Sequence, residues 1–242
     1  AHVIDMIKTA KKYRKKLMCA QHMRFGSNAI AAKKLVKAGE LGEIYFAKAK
    51  WHRRRYLPGW GAFISKKLNG GGPCLDIGVH ILDLTLWLMG NPKPVLVSGI
   101  SVTKLAKRDL MNIWGDYDRK RYENEDFAAG FIKFKNGAAM VLECSWMLNM
   151  KPLEDIKAVL YGVKGGLEFP SCEIFTERSK ILLDEKIAYN REVIPHHEEI
   201  KEFYKYVIGK RDNPVPPEQS LDVIKILDGI YRSQSLGREI KL

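Results

Sequence analysis

A chain of 242 residues with 46% hydrophobic content can bury an ordinary core as one large domain or two small ones. No run approaches the ~18 apolar residues of a membrane span, and the first residues, Ala1-His2-Val3-Ile4-Asp5, lack a secretory pattern. The formal charge of +13 is dispersed in short clusters such as Lys11-Lys12, Arg53-Arg54-Arg55 and Arg119-Lys120-Arg121, with no nucleic-acid motif beside them; a solvated basic surface, or attraction of a phosphate-bearing cofactor, reads better than nucleic-acid binding.

In chain order, residues 1–15 predict a helix, with Val3, Met6, Ile7 and Ala10 as its apolar stripe. Leu17-Met18-Cys19-Ala20 is a short apolar run that reads as a buried strand. A second helix runs from Ser27, a good N-cap, to Ala38, with Gly39 as its stop. Helix, strand, helix is the rhythm of a parallel α/β sheet, yet a lone parallel strand has no partners. The chain therefore reads as beginning inside a domain. Ile44 to His52 is strand-like, and Arg53 to Asn69 is irregular, with Pro58-Gly59-Trp60-Gly61 inside it.

Next comes the stretch with the most chemistry. Gly70-Gly71-Gly72 gives a permissive turn, Pro73 opens a helix and Gly90 closes it. The helix is apolar nearly all round, which predicts burial. Asp76, His80 and Asp83 share one face at i, i+4, i+7. Spacing alone leaves two readings open. Asp76 serves the helix N-terminus and His80 is a satisfied core histidine, or the two carry chemistry. Gly78 within the helix points to close approach of another backbone or a ligand.

After Pro92 and Pro94 the pattern turns to β. Val95 to Lys104 is a strand, 105–125 a long loop, and Phe127 to Phe134 with Ala138 to Met147 a hairpin across Asn136-Gly137. Ile156 to Tyr161 and Leu167 to Phe169 flank Gly162-Val163-Lys164-Gly165-Gly166. Because strands stand on both sides, that glycine cluster reads as a hairpin turn, not a dinucleotide loop. Ile174 to Thr176 and Ile181 to Asp184 form another pair, and helices over His196 to Gly209 and Pro217 to Leu236 complete the chain, the last stopped by Gly237. Together these predict a mostly antiparallel sheet. Cys19, Cys74, Cys144 and Cys172 have no metal-ligand spacing and read as buried thiols of a reducing compartment, which makes the cytoplasm the expected location. His196-His197 reads as capping or surface, since no further metal ligands can be placed. Gln21, His22 and Arg24 follow the first predicted strand, at the edge where open α/β sheets bind ligands.

Several segments in order resemble the Gfo/Idh/MocA family of NAD(P)-dependent sugar and polyol oxidoreductases. They are Lys16-Leu17-Met18-Cys19-Ala20-Gln21-His22-Met23-Arg24-Phe25, Gly39-Glu40-Leu41-Gly42-Glu43-Ile44, Gly70 to His80, Glu125-Asp126-Phe127-Ala128-Ala129, Asn136-Gly137-Ala138 and Gly162 to Gly166. The resemblance spans essentially the whole chain. It implies an α/β (α+β) architecture: residues 1–38 as a remnant of a Rossmann domain, and 39–242 as a substrate-binding and oligomerisation domain whose large open antiparallel sheet is flanked by helices. The helix 217–236 is expected to pack back on the remnant. The family's glycine-rich dinucleotide loop and its Glu-Lys-Pro lysine do not occur in these 242 residues.

The resemblance implies that His80 is the acid/base on the substrate hydroxyl and that Asp76 orients it. It implies substrate contacts from Arg24, Trp51, Arg53 and Trp60, cofactor contacts from Gln21 and His22, and no metal. The cofactor expected is NAD or NADP, the partners a sugar or polyol and further copies of the chain through the open sheet. Gly26-Ser27-Asn28-Ala29 stands where many members carry proline and tyrosine, so the resemblance does not carry over ligand contacts for that segment. The expectation is an oxidoreductase whose 242 residues alone are inactive. The alternatives are a non-catalytic sugar-binding or oligomerisation scaffold, and after it a nucleic-acid-binding protein.

Overall fold

The protein, as a computed structural model, is described over residues 2–189 and 193–242. Its elements are α1 (His2–Lys12), a 3-10 turn (His22–Phe25), α2 (Ser27–Lys37), β1 (Ile44–Arg53), a second 3-10 turn (Gly61–Ile64), α3 (Lys66–Asn69), α4 (Pro73–Asp76) and α5 (Gly78–Leu88). There follow β2 (Pro94–Val102), β3 (Phe127–Phe134), β4 (Ala139–Ser145), β5 (Glu154–Gly162), β6 (Gly165–Phe169), β7 (Glu173–Arg178), β8 (Ile181–Lys186), α6 (Pro195–Val207), α7 (Pro217–Leu236) and β9 (Ile240–Lys241).

The strands form one nine-stranded sheet in the order β8-β7-β6-β5-β1-β4-β3-β2-β9. Every neighbouring pair is antiparallel except β1 with β4. Period-two alternation sets the faces. On β4, Met140, Leu142 and Cys144 are buried, while Val141 and Glu143 point to the other side. α5 and α7 cover the buried face. Gly99 and Gly130 are paired across β2 and β3, and together they seat Ile230 of α7. A Cβ on Gly130 would lie 2.7 Å from Ile230 Cδ1, so only glycine lets the helix down to this depth.

Two adjacent carboxylates tie the connections together. Glu125 accepts the backbone N–H of Gly72 (2.9 Å) and Cys74 (3.1 Å) and the hydroxyl of Tyr231 (2.8 Å), so it caps the turn that opens α4. Asp126 accepts three consecutive N–H groups, of Lys104, Leu105 and Ala106, and pins the start of the long loop. In this structure the Glu125-Asp126 motif is architectural.

Several expectations are corrected. Leu17 to Ala20 is not a strand, because no strand among the described residues lies beside it to share a ladder. Leu17 instead gives its carbonyl to Asn213 Nδ2 at 2.7 Å. Ser27 is the first residue of α2, and Gly26 is its N-cap. The helix from Pro73 is interrupted at Ile77, where His80 donates to the Ile77 carbonyl three residues back (3.2 Å). The close neighbour at Gly78 is neither another strand's backbone nor a ligand but a side chain of the sheet: a Cβ there would lie 3.1 Å from Cys144 Sγ. Cys74, Cys144 and Cys172 are buried, but Cys19 is only half-buried. β9 escaped notice because it is two residues long.

Candidate active site

α5 is buried because it is apolar on most faces: Ile81, Leu82, Leu84, Leu86 and Leu88 are all in the core. Its polar stripe must therefore find partners. Asp83, 1% exposed, forms a two-pronged ion pair with Arg24, itself 3% exposed, at 2.6 Å for both contacts. The third nitrogen of Arg24 donates to Gln219 Oε1 of α7. Arg24 is thus a rivet between the 3-10 turn, α5 and α7, with each guanidinium nitrogen already donating within the protein. Gln21, expected near the cofactor, is likewise buried, just before that turn.

The rivet holds His22 against His80. The two rings stand edge to face with centroids 5.0 Å apart, and His196, from the first turn of α6, stacks on His22 at 4.2 Å. His80 Nδ1 is buried without a protein partner, which leaves Nε2 as the nitrogen able to reach a ligand. Burial pulls the His80 imidazole below its ordinary range, and His196 and Arg53 push the same way by repulsion. His22 is lowered to about 4, chiefly by burial and then by His80 and His196.

The strand ends supply the other wall. Trp51 and Arg53 leave β1 on its buried side. The Trp51 indole N–H (2.9 Å) and Arg53 Nε (2.8 Å) both donate to Glu154 Oε1 at the start of β5. The Trp51 ring lies 6.2 Å from His80. Asp76 accepts the indole N–H of Trp146 at 3.0 Å and sits 3.9 Å from Arg53. Its carboxylate is raised above the usual range by burial, with Trp146 and Arg53 opposing. Asp76 therefore shares the site with His80, but its contacts are with Trp146 and Arg53. Trp60 packs on Trp114 at the rim.

The structure thus brings His22, Trp51, Arg53, Asp76 and His80 together and sets Trp60 beside them, whereas Arg24 and Gln21 lie underneath. Sequence reading missed Trp146, Trp114, Glu154 and His196. Only Trp146 left a signal, since it continues the inward alternation of Met140, Leu142 and Cys144. Among the described residues no group of three ligands is arranged for a metal ion. The residues present fit the hydroxyl side of a hydride transfer. Gly162 to Gly166 joins two antiparallel strands and so is a hairpin turn, not a cradle for dinucleotide phosphates.

The histidines predict acid sensitivity. His22, His80 and His52 all have lowered values, so the unfolded chain binds protons that the folded chain resists. Their contribution to stability is full above ~6.5, the unfolded histidine value, and is lost as pH falls toward the about 4 of His22. Asp76, shifted up by burial, opposes this just above the ordinary carboxylate range. The expected result is a falling thermal midpoint between pH 6.5 and 4.5 by calorimetry. His22→Gln flattens that slope; an unchanged slope removes His22 as its source.

A family model described as the GFO/IDH/MocA C-terminal domain matches residues 29–168. The D-glucoside 3-dehydrogenase of Escherichia coli (strain K12) is 31% identical over 241 residues, spanning 98% of this chain and 68% of that protein. Among solved structures, an aldose-aldose oxidoreductase from Caulobacter crescentus complexed with glycerol superposes with a TM-score of 0.78 at 22% identity. The match covers 99% of this chain and 68% of that one. An NAD binding oxidoreductase from Klebsiella pneumoniae gives 0.80 at 19% identity, over 99% and 69%. At those identities the two structures speak for the fold.

Proposed function

Because this chain belongs to the Gfo/Idh/MocA family of oxidoreductases, we propose that it forms the substrate side of an NAD(P)-dependent sugar dehydrogenase or reductase, with a glucoside the favoured substrate. The observation that carries this reading is His80, an imidazole kept neutral by burial, flanked by the Trp51–Arg53–Glu154 wall. The 31% identity to a D-glucoside 3-dehydrogenase supports the glucoside.

A bound dinucleotide would supply the hydride acceptor for the substrate carbon. His80 Nε2 accepts the proton of the hydroxyl on that carbon, and in the reverse direction returns it. A base held neutral at pH 7 suits oxidation. Arg53, fixed by Glu154, presents a cation to sugar hydroxyls without needing to be ordered first. Asp76 holds Trp146 and offsets the charge of Arg53. Arg24 is a positioning residue that keeps His22 on His80.

In this reading residues 1–38 belong to the dinucleotide-binding side and 39–242 to the substrate side. α2 joins the common core through Ala29 and Ala32, and α7 reaches α1 through Glu218 and Lys11. The 242 residues alone do not turn over, since they carry no phosphate loop and no Glu-Lys-Pro lysine. The open sheet face, with Ile100 and Phe131 exposed and a groove of ≈ 530 Å³ lined by Lys48, Lys157, Val159 and Tyr161, pairs with further copies of the chain. Sedimentation velocity tests this, and a monomer at micromolar concentration rejects it. No helix among the described residues is long and apolar enough to cross a membrane.

The direct test joins these 242 residues to a dinucleotide-binding domain that carries the phosphate loop and the lysine, and follows reduction of NAD and of NADP with methyl glucoside, free glucose and a polyol. Turnover of a glucoside supports the reading. Absence of turnover with all three rejects it.

A further inference from the structure

Beyond His80 the site continues outward as an aromatic surface that the acid/base chemistry does not use. Arg53 Cζ lies 5.6 Å from the Trp51 ring on one side and 5.0 Å from the Trp114 ring on the other. Trp114 meets Trp60 at 5.4 Å and Tyr56 at 5.1 Å. Trp60 also stands edge-on to Phe63, which in turn stands edge-on to Trp146, the partner of Asp76. One surface therefore runs from the imidazole of His80 over Trp51 and Arg53 to Trp60 and Trp114. At the outer end Trp60 is 52% exposed and Trp114 42%.

Two adjacent exposed indoles invite explanation, because each withholds a large apolar area from the core. They are also held still. The carboxamide of Asn112, 9% exposed, accepts the Leu57 N–H (3.0 Å) and donates to the carbonyls of Leu57 (2.9 Å) and Gly115 (2.8 Å). The Ile113 N–H donates to the Arg55 carbonyl at 2.9 Å. Gly59 presses so closely on Tyr117 that an added Cβ would lie 2.4 Å from Tyr117 Cβ. The loops carrying the two tryptophans are thus riveted to each other, and the ordering cost of presenting their rings is met in the free protein.

We propose that Trp60 and Trp114 form a second ring subsite: the substrate is a glycoside whose oxidised ring lies at His80 and whose substituent is a further six-membered ring stacked on these indoles. The inference rests on the functional reading above and deepens it. A pyranose has an apolar C–H face and a polar edge, and an aryl group has two apolar faces. Both stack on indole. Arg53 beside Trp114 supplies a polar group at the flank for hydroxyls. A ligand with only one ring, bound at His80, leaves the outer indoles bare.

The experiment measures binding of methyl β-glucoside, cellobiose and phenyl β-glucoside to the protein by saturation-transfer NMR and calorimetry. The two-ring ligands are expected to bind about 3- to 10-fold tighter than methyl glucoside, the fold-change of one good aromatic contact. Trp114→Ala removes that advantage and leaves methyl glucoside within about twofold. Trp114→Phe keeps most of it, and Trp114→Leu serves as a second variant if Trp114→Ala fails to fold. An advantage for cellobiose alone assigns the subsite to a second sugar, and one for phenyl glucoside alone to an aryl aglycone. Methyl glucoside binding with no gain for either two-ring ligand overturns the subsite and leaves the proposed function standing. Binding of none of the three overturns both.

Discussion

If His80 is the base proposed above, His80→Ala is expected to lower kcat for glucoside oxidation about 10²–10⁴-fold once the chain is joined to a dinucleotide-binding domain, the usual worth of a positioned general base. The thermal midpoint moves little by comparison. Nδ1 of the lost imidazole has no protein partner, so its removal leaves no backbone or side-chain group newly unpaired. His80→Gln separates polarity from proton transfer, and it stays as slow as the alanine variant if proton transfer is the role. The pH profile carries independent information. Burial, His196 and Arg53 all lower the imidazole, so kcat/KM for oxidation rises with pH through a value below ~6.5 and is flat above it. The reductive direction needs the protonated ring and falls over the same interval. Turnover of His80→Ala within a few-fold of the parent enzyme removes the assignment.

The largest effect on stability is expected at the Arg24–Asp83 pair. Both side chains are almost fully buried, and the contact is two-pronged at 2.6 Å. Asp83→Ala leaves a guanidinium buried with only Gln219 as partner, and Arg24→Ala strands a carboxylate. Either costs about 3–5 kcal/mol, read by urea or thermal unfolding as a drop in midpoint on the order of 10 °C for a chain of this size. The double variant Arg24→Met with Asp83→Leu recovers much of the loss, because a packed apolar pair of similar volume avoids desolvation altogether. It does not recover the placement of His22, so the pH dependence near His80 remains disturbed while stability returns. Single variants within about 1 kcal/mol of the parent protein show that the pair is not the rivet described.

These two expectations mark different depths of legibility. The Asp76–His80 spacing was visible on the page as a polar interruption of an apolar helix, and the family resemblance gave it a role. Arg24 was visible too, yet its position beside a presumed strand end suggested substrate contact. Its partner lies 59 residues away, and a reading by periodicity has no means of pairing the two. The same holds for Asp76 and Trp146, 70 residues apart. Trp114 sits in a polar loop with no repeat to flag it. His196 was read as a cap because its neighbours in sequence, not in space, were the only ones to be seen.

The amino-acid sequence by itself determined the element types and much of their order. Alternation on β3 and β4, Asn136-Gly137 between them, Pro73 at the start of a buried helix and glycines just past helix ends are local physics, acting over a few residues. It also specified, through Gly78, Gly99 and Gly130, where layers must come close. Only the tertiary structure decided which charges cancel, which histidines touch and which tryptophans meet at the surface. Those outcomes depend on how the sheet and helices stack. Stacking brings together groups whose separation along the chain exceeds any helical or strand period, so their pairing leaves no periodic trace in the sequence.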